Sequence, residues 1–329
     1  MRSVGFVSEP NCGRGTISIV WSCISTFFLL TYTSLHPDVD DDQISFMLYC
    51  LAFPEFGAVG AVSDLIYAFL LRKTMLRIHD WDHLTLQHGF LVRLGGVVLE
   101  GDGEAKTTVT GRILLGLAQD QAIELGDLPT LDQMKNGSRK DYLSKAIALL
   151  QCLWFTANIL SRLVNRFEVS LLEDLTMAYV LCGILMYASW FHCPQGIREP
   201  FALRCNAGSA ANLRRPVLLY MSDRLMFGFG VIILGLFVAI HLGAWHYPFP
   251  TAIEMWLWRV CAIMTFVLGV TTAWLTLDHS EHPIATTILI LYALARVTVI
   301  GVAFSVFRQA PAEIYEKLTW SSYWGHIGS

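Results

Sequence analysis

Long apolar blocks constrain this chain more than any other feature of its sequence. Seven blocks contain few charged side chains, and each is close to the roughly 20 helical residues that cross a hydrocarbon core about 30 Å thick. A helix satisfies its own backbone hydrogen bonds in lipid, whereas an open strand does not. The sequence therefore predicts an all-α fold, a polytopic transmembrane helix bundle with spans at residues 17–35, 47–71, 143–163, 170–191, 225–246, 255–277 and 284–306.

The composition supports a lipid environment and argues against a nucleic-acid partner. Of the 329 residues, 54% are hydrophobic and 15% are charged, against roughly 25% charged in soluble domains. The net charge is -4 and no basic stripe is present, so nucleic-acid binding is not expected. We expect one membrane domain over residues 1–329, with the lipid bilayer as its main partner, in the endoplasmic reticulum or the plasma membrane. An aromatic belt is predicted at Trp245, Tyr247, Trp256 and Trp258.

The region at 72–142 lacks a block of spanning length and is predicted to be cytoplasmic or interfacial. Its most apolar stretch, 84–99, is short and contains Arg93 and the pair Gly95-Gly96. We interpret this stretch as a re-entrant or interfacial segment, and the alternative is an eighth span. The next segment, 112–125, has the apolar spacing of an amphipathic surface helix. It is equally consistent with a helix packed on the protein's own cytoplasmic face.

The distribution of Lys and Arg predicts the orientation of the chain. Residues 1–16 contain two arginines, the loop 36–46 has four aspartates and no base, and 72–77 contains three bases. Basic segments stay in the cytoplasm, so the N-terminus and the region after 71 are predicted to be cytoplasmic. Seven crossings would then place the C-terminal segment, from about Phe307, on the opposite side.

Ionisable side chains at membrane depth are costly and are functional candidates by default. Three carboxyl groups are candidates for a catalytic acid: Glu55, Asp64 and Glu173. Pro54, beside the first of them, is expected to kink its helix. Three further residues are expected to complete a polar binding site: His88, Arg93 and Trp154. Four more ionisable residues, interpreted as lying near helix ends or as snorkelling to the interface, are Lys145, Asp174, Arg259 and Arg296.

No metal site and no cofactor is predicted. His79 and His83 are four residues apart and could share a metal on a helix, but the sequence suggests no fourth ligand. The acidic loop 38–42 is better explained as a solvated loop than as a Mg²⁺ site. Phosphate-binding loops and the common nucleophile and zinc motifs are absent from the sequence.

Several short segments occur together in an order found in one group of proteins. They are Cys12-Gly-Arg-Gly-Thr16, Trp21-Ser-Cys23, Thr33-Ser-Leu-His36, Phe53-Pro-Glu55, His88-Gly-Phe90, Gly95-Gly96, Asp141-Tyr-Leu-Ser-Lys145, Gln151-Cys-Leu-Trp-Phe155, Arg162, Leu172-Glu173 and Trp190-Phe191 before Pro194. Over residues 11–200 the chain thus resembles a large group of fungal polytopic integral membrane proteins without an established function. The resemblance implies a fungal origin and a polytopic fold, but no reaction, substrate or cofactor. The chain departs from the group's pattern at 136–140 and 191–192.

The sequence leaves the question of catalysis open. The first hypothesis is non-catalytic binding, transport or sensing of a small or lipid-like molecule, because spans are many and catalytic motifs are missing. The alternative is a membrane-embedded enzyme of fungal secondary metabolism that acts on a lipid or isoprenoid substrate, as a small terpene cyclase does. Such an enzyme needs an acid in an apolar pocket, and Glu55 and Asp64 are its best candidates. A scaffold role in a membrane complex is a third possibility.

Overall fold

The computed structural model describes residues 3–8, 14–34, 43–79, 84–100, 107–137, 142–194, 200–204, 223–277 and 283–316. Helices dominate these residues. They are α1 (Thr16–Ser34), α2 (Gln43–Ala52), α3 (Pro54–His79), α4 (Leu86–Arg93), α5 (Gly111–Gln119), α6 (Leu131–Gly137), α7 (Tyr142–Val164), α8 (Leu171–Ser189), α9 (Asp223–Gly243), α10 (Ala252–Leu277) and α11 (Pro283–Ser305). Besides short 3₁₀ helices, the described residues form five short strands: β1 (Ser3–Val4), β2 (Val97–Glu100), β3 (Thr107–Thr108), β4 (Phe201–Arg204) and β5 (Ala310–Pro311).

Within the described ranges, seven helices are long and apolar enough to cross a membrane. They cover Thr16–Thr33, Pro54–Arg77, Ala146–Val164, Leu171–Ser189, Leu225–His246, Ala252–Leu275 and Ile284–Gln309. The predicted all-α class of a polytopic helix bundle is confirmed. Large apolar side chains such as Leu150, Ile232 and Val297 are more than half exposed, as expected of surfaces that contact lipid rather than water. The chain is an integral membrane protein.

The chain divides into two compact units. Unit 1 contains residues 1–33, 144–182 and 230–329, and unit 2 contains 34–143 and 183–229. Unit 1 is built from α1, α7, α10, α11 and the larger parts of α8 and α9. Unit 2 contains α2 to α6 and the strands β2, β3 and β4.

The first and the last described segments of the chain lie together in unit 1. Strand β1 pairs antiparallel with β5, so that Ser3 is opposite Pro311 and Val4 is opposite Ala310. The Arg14 N–H donates to the Tyr315 carbonyl at 3.1 Å, immediately before α1 begins. The segment that precedes the first long helix and the segment that follows the last one therefore lie together.

This pairing corrects one expectation. Segments that are hydrogen-bonded to each other lie on one side of a membrane, so an even number of crossings separates them. The prediction that the C-terminal segment, from about Phe307, lies opposite to the N-terminus is wrong. The contacts of the helix ends agree with this count. Helices α1, α8 and α10 begin at the end of unit 1 where β1 and β5 pair, and α7, α9 and α11 finish there.

Unit 2 begins with a helical hairpin where one continuous span, 47–71, was predicted. Helix α2 ends at Ala52 and α3 begins at Pro54. A Cβ on Gly57 would lie 3.6 Å from the Cβ of Cys50, whereas positions seven residues apart on one helix are separated by about 10 Å along its axis. The chain therefore folds back at Phe53, next to the proline that was expected to cause only a kink. A hairpin returns the chain toward the side of the membrane from which α2 began. This agrees with an even number of crossings between β1 and β5.

The apolar stretch 84–99 is a short helix followed by a strand. Helix α4 ends at Arg93, and Gly95 then takes a φ of 71°, which glycine adopts without a Cβ clash. Strand β2 follows, between antiparallel β3 and parallel β4. The alternative of an eighth span is excluded, because this stretch holds only eight helical residues, far fewer than the roughly 20 that a crossing needs.

A hydrophobic cluster in unit 2 holds these short elements together. It includes Leu71 and Met75 from α3, Leu91 from α4, Val97 from β2 and Leu114 from α5, all nearly or fully buried. Helix α5, predicted within an amphipathic segment, thus places its apolar face against the protein itself. Residues 107–137 form part of a packed subdomain rather than a lone membrane-surface helix.

Candidate functional site

Asp64 and Arg93, two of the predicted site residues, meet in unit 2. The Arg93 Nε donates to Asp64 Oδ1 at 2.8 Å, and the Trp190 indole N–H donates to Asp64 Oδ2 at 3.2 Å. The Arg93 guanidinium also lies 5.3 Å from the centre of the Tyr67 ring. Both carboxylate oxygens are therefore engaged, and the cluster ties α3 to α4 and to the residue that follows α8.

His88, also predicted, caps α4 and anchors the segment that follows α5. The Thr85 N–H donates to His88 Nδ1 at 3.2 Å, and His88 Nε2 lies 3.0 Å from the Pro129 carbonyl. Since Nδ1 accepts, the neutral tautomer with its proton on Nε2 satisfies both contacts. Burial lowers the pKa of His88, which keeps the ring neutral. Its role here is structural.

Glu55 does not join His88 in one site. Glu55 is 1% exposed and lies in the first turn of α3, where the helix dipole favours a carboxylate. Gly89, next to His88, packs on Ala68 so closely that a Cβ would lie 2.8 Å from the Ala68 Cα. Thirteen residues of helix separate Glu55 from Ala68, about 20 Å at 1.5 Å per residue.

Glu173, the third predicted acid, lies in unit 1 and is fully engaged. Arg14 forms a two-pronged ion pair with it, with N···O distances of 2.5 and 3.0 Å. The Ser170 N–H donates to Glu173 Oε2 at 3.0 Å and the Glu173 N–H to Ser170 Oγ at 3.3 Å. This is a capping box at the start of α8, so Glu173 fixes the fold of this end.

Arg162 belongs to the same end of unit 1 and is 1% exposed. Its guanidinium donates to three backbone carbonyls, those of Glu168, Glu313 and Glu316, at 3.0, 2.7 and 2.8 Å. These bonds connect α7 to the loop before α8 and to the C-terminal segment. Trp154, by contrast, is 56% exposed on α7, and its side chain faces outward from unit 1.

A cavity of about 530 Å³ lies at this end of unit 1, between the end of α7, the start of α8 and the end of α9. Its apolar walls are formed by residues from all three helices, and the α7–α8 loop and the residues after α9 contribute polar groups. The lining comprises Ile159, Leu160, Leu163, Arg166, Phe167, Glu168, Val169, Asp174, Met177, Ala239, Ile240, Gly243, Ala244, His246 and Tyr247.

Asp174 and Tyr247, both in this lining, each have a buried polar atom without a hydrogen-bond partner among the described residues. Asp174 Oδ2 is shielded from solvent, and within the described ranges it has no hydrogen-bond partner. The hydroxyl of Tyr247, a residue only 7% exposed, is likewise buried and has no hydrogen-bond partner within the described ranges. Burial raises the pKa of Tyr247, so its hydroxyl keeps its proton and remains a donor. Buried polar groups without partners cost free energy. Neither atom touches the open space of the cavity, so a ligand there becomes the missing partner only when the side chain turns toward it.

Arg166 lies in the same lining and has a strained backbone. The Phe167 N–H donates to the Arg162 carbonyl and the Arg166 N–H to the Leu163 carbonyl, at 2.9 and 3.1 Å. These two bonds form a Schellman motif, whose left-handed position is usually glycine. Arg166 occupies it with a φ of 59°, and sparsely populated conformations of this kind concentrate at functional sites.

The sequence indicated some of these residues without separating their roles. Asp174 was interpreted as a carboxyl near a helix end, and its neighbour Glu173 was preferred. Tyr247 was assigned to the aromatic belt together with Trp258. The structure instead buries Trp258 completely, with its indole N–H donating to the His241 carbonyl at 3.0 Å. Two predicted features, the acidic loop 38–42 and most of the segment 79–83, lie outside the described residues.

Part of the chain matches a known family model. Residues 69–217 match the family model described as a family of unknown function, DUF8562. The matched range includes the cavity residues of α7 and α8 but not those of α9. No curated protein and no solved structure matched the chain.

Proposed function

We propose that this protein binds a small lipid-like amphiphile, without transforming it, in the cavity at the ends of α7, α8 and α9. The observation that carries the proposal is an apolar-walled cavity in whose lining Asp174 Oδ2 and the Tyr247 hydroxyl have no hydrogen-bond partner among the described residues. Its volume, about 530 Å³, falls within the range of small-molecule pockets. Apolar walls with a few convergent polar groups are the usual composition of such pockets.

The position of the cavity favours entry from the membrane. Leu160 and Leu163 line the cavity, and they are also 53% and 57% exposed. A wall of this kind faces both the cavity and the lipid, so an apolar chain can reach the cavity without crossing water.

The enzyme alternative has less support. It depended on a free acid in an apolar pocket, with Glu55, Asp64 and Glu173 as candidates. Asp64 and Glu173 are each engaged by a guanidinium, and none of the three lines the cavity.

The proposed orientation differs from the one expected from sequence. The connection between α8 and α9 holds Arg198, Arg204, Arg214 and Arg215, whereas the connection between α9 and α10 has no Lys or Arg. Basic connections stay in the cytoplasm. We therefore place the cavity and both termini away from the cytoplasm. Epitope tags at both termini should both be inaccessible from the cytoplasmic side, and a tag exposed there would contradict this orientation.

Photolabelling tests the binding proposal. The purified protein in detergent is incubated with a single-chain lipid that carries a diazirine in its chain, and the labelled peptides are mapped by mass spectrometry. Labelling is expected at residues 159–163 and 239–247. Gly243→Leu should reduce it about tenfold, equivalent to 1.4 kcal/mol, because the nearest atom to a Gly243 Cβ is Asp174 Oδ1 at 4.0 Å, so a leucine fits and fills the cavity.

Gly228→Leu is the matched control. Gly228 lies on the same helix, and a Cβ there meets nothing within 4 Å. Equal labelling of the wild type and Gly243→Leu would overturn the proposal.

A further inference from the structure

The cavity described above is chemically selective, and its selectivity comes from Asp174. Asp174 and Glu173 are neighbours in sequence but differ in surroundings. Glu173 has the Arg14 guanidinium, whereas no ion pair of Asp174 occurs within the part of the chain that the structure describes, and one of its oxygens has no hydrogen-bond partner there. The missing group is a cation or a strong donor.

The charges beside Asp174 oppose an anionic ligand at this depth. Asp174 and Glu168 are the two carboxyl groups in the lining, whereas the arginine of the lining, Arg166, is exposed. A fatty-acid carboxylate placed beside Asp174 would add a like charge in a poorly solvated site. An alcohol would supply one donor and no charge. An ammonium supplies three donors and a charge, and charge-assisted hydrogen bonds are roughly twice as strong as neutral ones.

The depth of Asp174 in the cavity specifies where on the ligand the cation must be. Met177 is three residues further along α8 than Asp174, and Ile240 is three residues before Gly243 on α9, which approaches Asp174. Each step is about 4.5 Å of helix. The Asp174 carboxyl group thus lies about one helical turn from the apolar side chains of Met177 and Ile240. A diacyl phospholipid, whose ester and phosphate groups separate its amine from its chains, does not fit this order.

We infer that the ligand of this cavity is a single-chain amphiphile with an amine directly on its chain, a long-chain primary amine. The inference rests on the proposed function and adds the headgroup to it. Asp174 accepts from the ammonium, and the oxygen of the Tyr247 hydroxyl, in the same lining, is a second acceptor. The chain lies along Ile159, Leu160, Met177 and Ile240.

A matched series of photoreactive probes tests the inference. Three probes share one sixteen-carbon chain with the same diazirine and differ only at the head, which is an amine, an alcohol or a carboxylic acid. In the wild type, half-maximal cavity labelling should need about tenfold less amine than alcohol, and the acid should label least. Asp174→Asn should remove the advantage of the amine, so that half-maximal labelling needs about the same concentration of amine as of alcohol. Asp120→Asn, at an exposed carboxyl in unit 2, should change neither.

The outcomes separate the two proposals. If amine and alcohol label the wild type equally and Gly243→Leu blocks both, amphiphile binding stands and the amine assignment falls. If no probe gives labelling that Gly243→Leu blocks, both fall. Should Asp174→Asn fail to elute as a single species in detergent, the ranking of the three probes on the wild type decides the question without it.

Discussion

The Asp64 cluster of unit 2 and the Asp174 cavity of unit 1 contain the same functional group in opposite conditions. Asp64 has Arg93 on one oxygen and the Trp190 indole on the other. Asp174 has one oxygen without a hydrogen-bond partner among the described residues, in a lining that also holds the Tyr247 hydroxyl. Buried polar groups in native proteins are normally paired. The first carboxyl stabilises the fold, whereas the second has an unsatisfied oxygen, which is the basis of the proposed ligand site.

Glu173 extends this comparison. It is adjacent to Asp174 in sequence, but its carboxylate, like that of Asp64, is paired with an arginine. Arg14→Met should cause the largest loss of stability, about 3–5 kcal/mol, since it leaves a carboxylate that is 3% exposed without its cation. The measurement is the free energy of unfolding in mixed detergent micelles. Arg308→Met breaks the Arg308–Glu254 pair, whose arginine is 56% exposed, and should cost at most about 1 kcal/mol. Equal losses of stability in Arg14→Met and Arg308→Met would contradict a structural role for the Arg14–Glu173 pair.

Replacing the two aspartates by leucine gives the most direct test of the comparison. Asp64→Leu should destabilise the protein by about 2 kcal/mol, because it removes the acceptor of two donors. Asp174→Leu should stabilise the ligand-free protein by about 1 kcal/mol, because it removes a polar group that the fold does not satisfy. Opposite signs in the same unfolding assay support the comparison, and a large loss for Asp174→Leu would break it.

His88, on the same short helix of unit 2 as Arg93, provides a pH test of the structural role assigned to this region. Above its ordinary pKa of 6.5 the folded and unfolded states are both neutral, so stability does not depend on this group. Below that value the unfolded state binds a proton that the folded state rejects. Stability should therefore fall with falling pH, by up to about 1.4 kcal/mol per unit, until the pH reaches the lowered folded pKa.

Unfolding of the wild type, His88→Gln and His192→Gln between pH 7.5 and 5 checks this expectation. His192 is exposed in unit 2, and its replacement should leave the pH dependence unchanged. The profile of His88→Gln should be flatter than the other two. Three parallel profiles would remove His88 as the acid-sensitive group.

Arg166 gives the smallest expected effect and tests the cavity region. Arg166→Gly should stabilise the ligand-free protein by up to about 1 kcal/mol, because glycine accepts the left-handed conformation that arginine does not favour. Arg112→Gly, in the first turn of α5, is the control and should destabilise by a similar amount. A loss of stability in Arg166→Gly would show that the side chain, rather than a ligand, justifies the strain.

The sequence predicted the long helices well because length and hydropathy decide them. Helix α8 was expected at 170–191 and is found at Leu171–Ser189. The parallel pairing of β2 with β4 was not predictable in this way. Val97 pairs with Phe201, more than a hundred residues away, and strands of four residues leave too weak a pattern to identify.

The roles of the acidic residues were only partly predictable. The pattern of Ser170 followed three residues later by Glu173 is a capping-box signal, and it could have identified Glu173 as structural. The choice between Asp174 and its neighbour depends on Arg14, which lies 159 residues before Glu173 in sequence. No local pattern reports that pairing. The antiparallel hairpin at Phe53 was missed for a related reason, since a proline after an apolar run indicates a kink and a reversal equally.

The pairing of β1 with β5 has a consequence for biosynthesis. Arg14 emerges from the ribosome early, but the Ile314 carbonyl that accepts from its Nε at 2.6 Å is made 300 residues later. At 5–20 residues per second this delay is about 15–60 s. During that time Glu173 enters the membrane while Arg14, its ion-pair partner, still lacks the Ile314 carbonyl. Unit 1 therefore stays incomplete in the membrane until α11 and the segment that follows it have been synthesised.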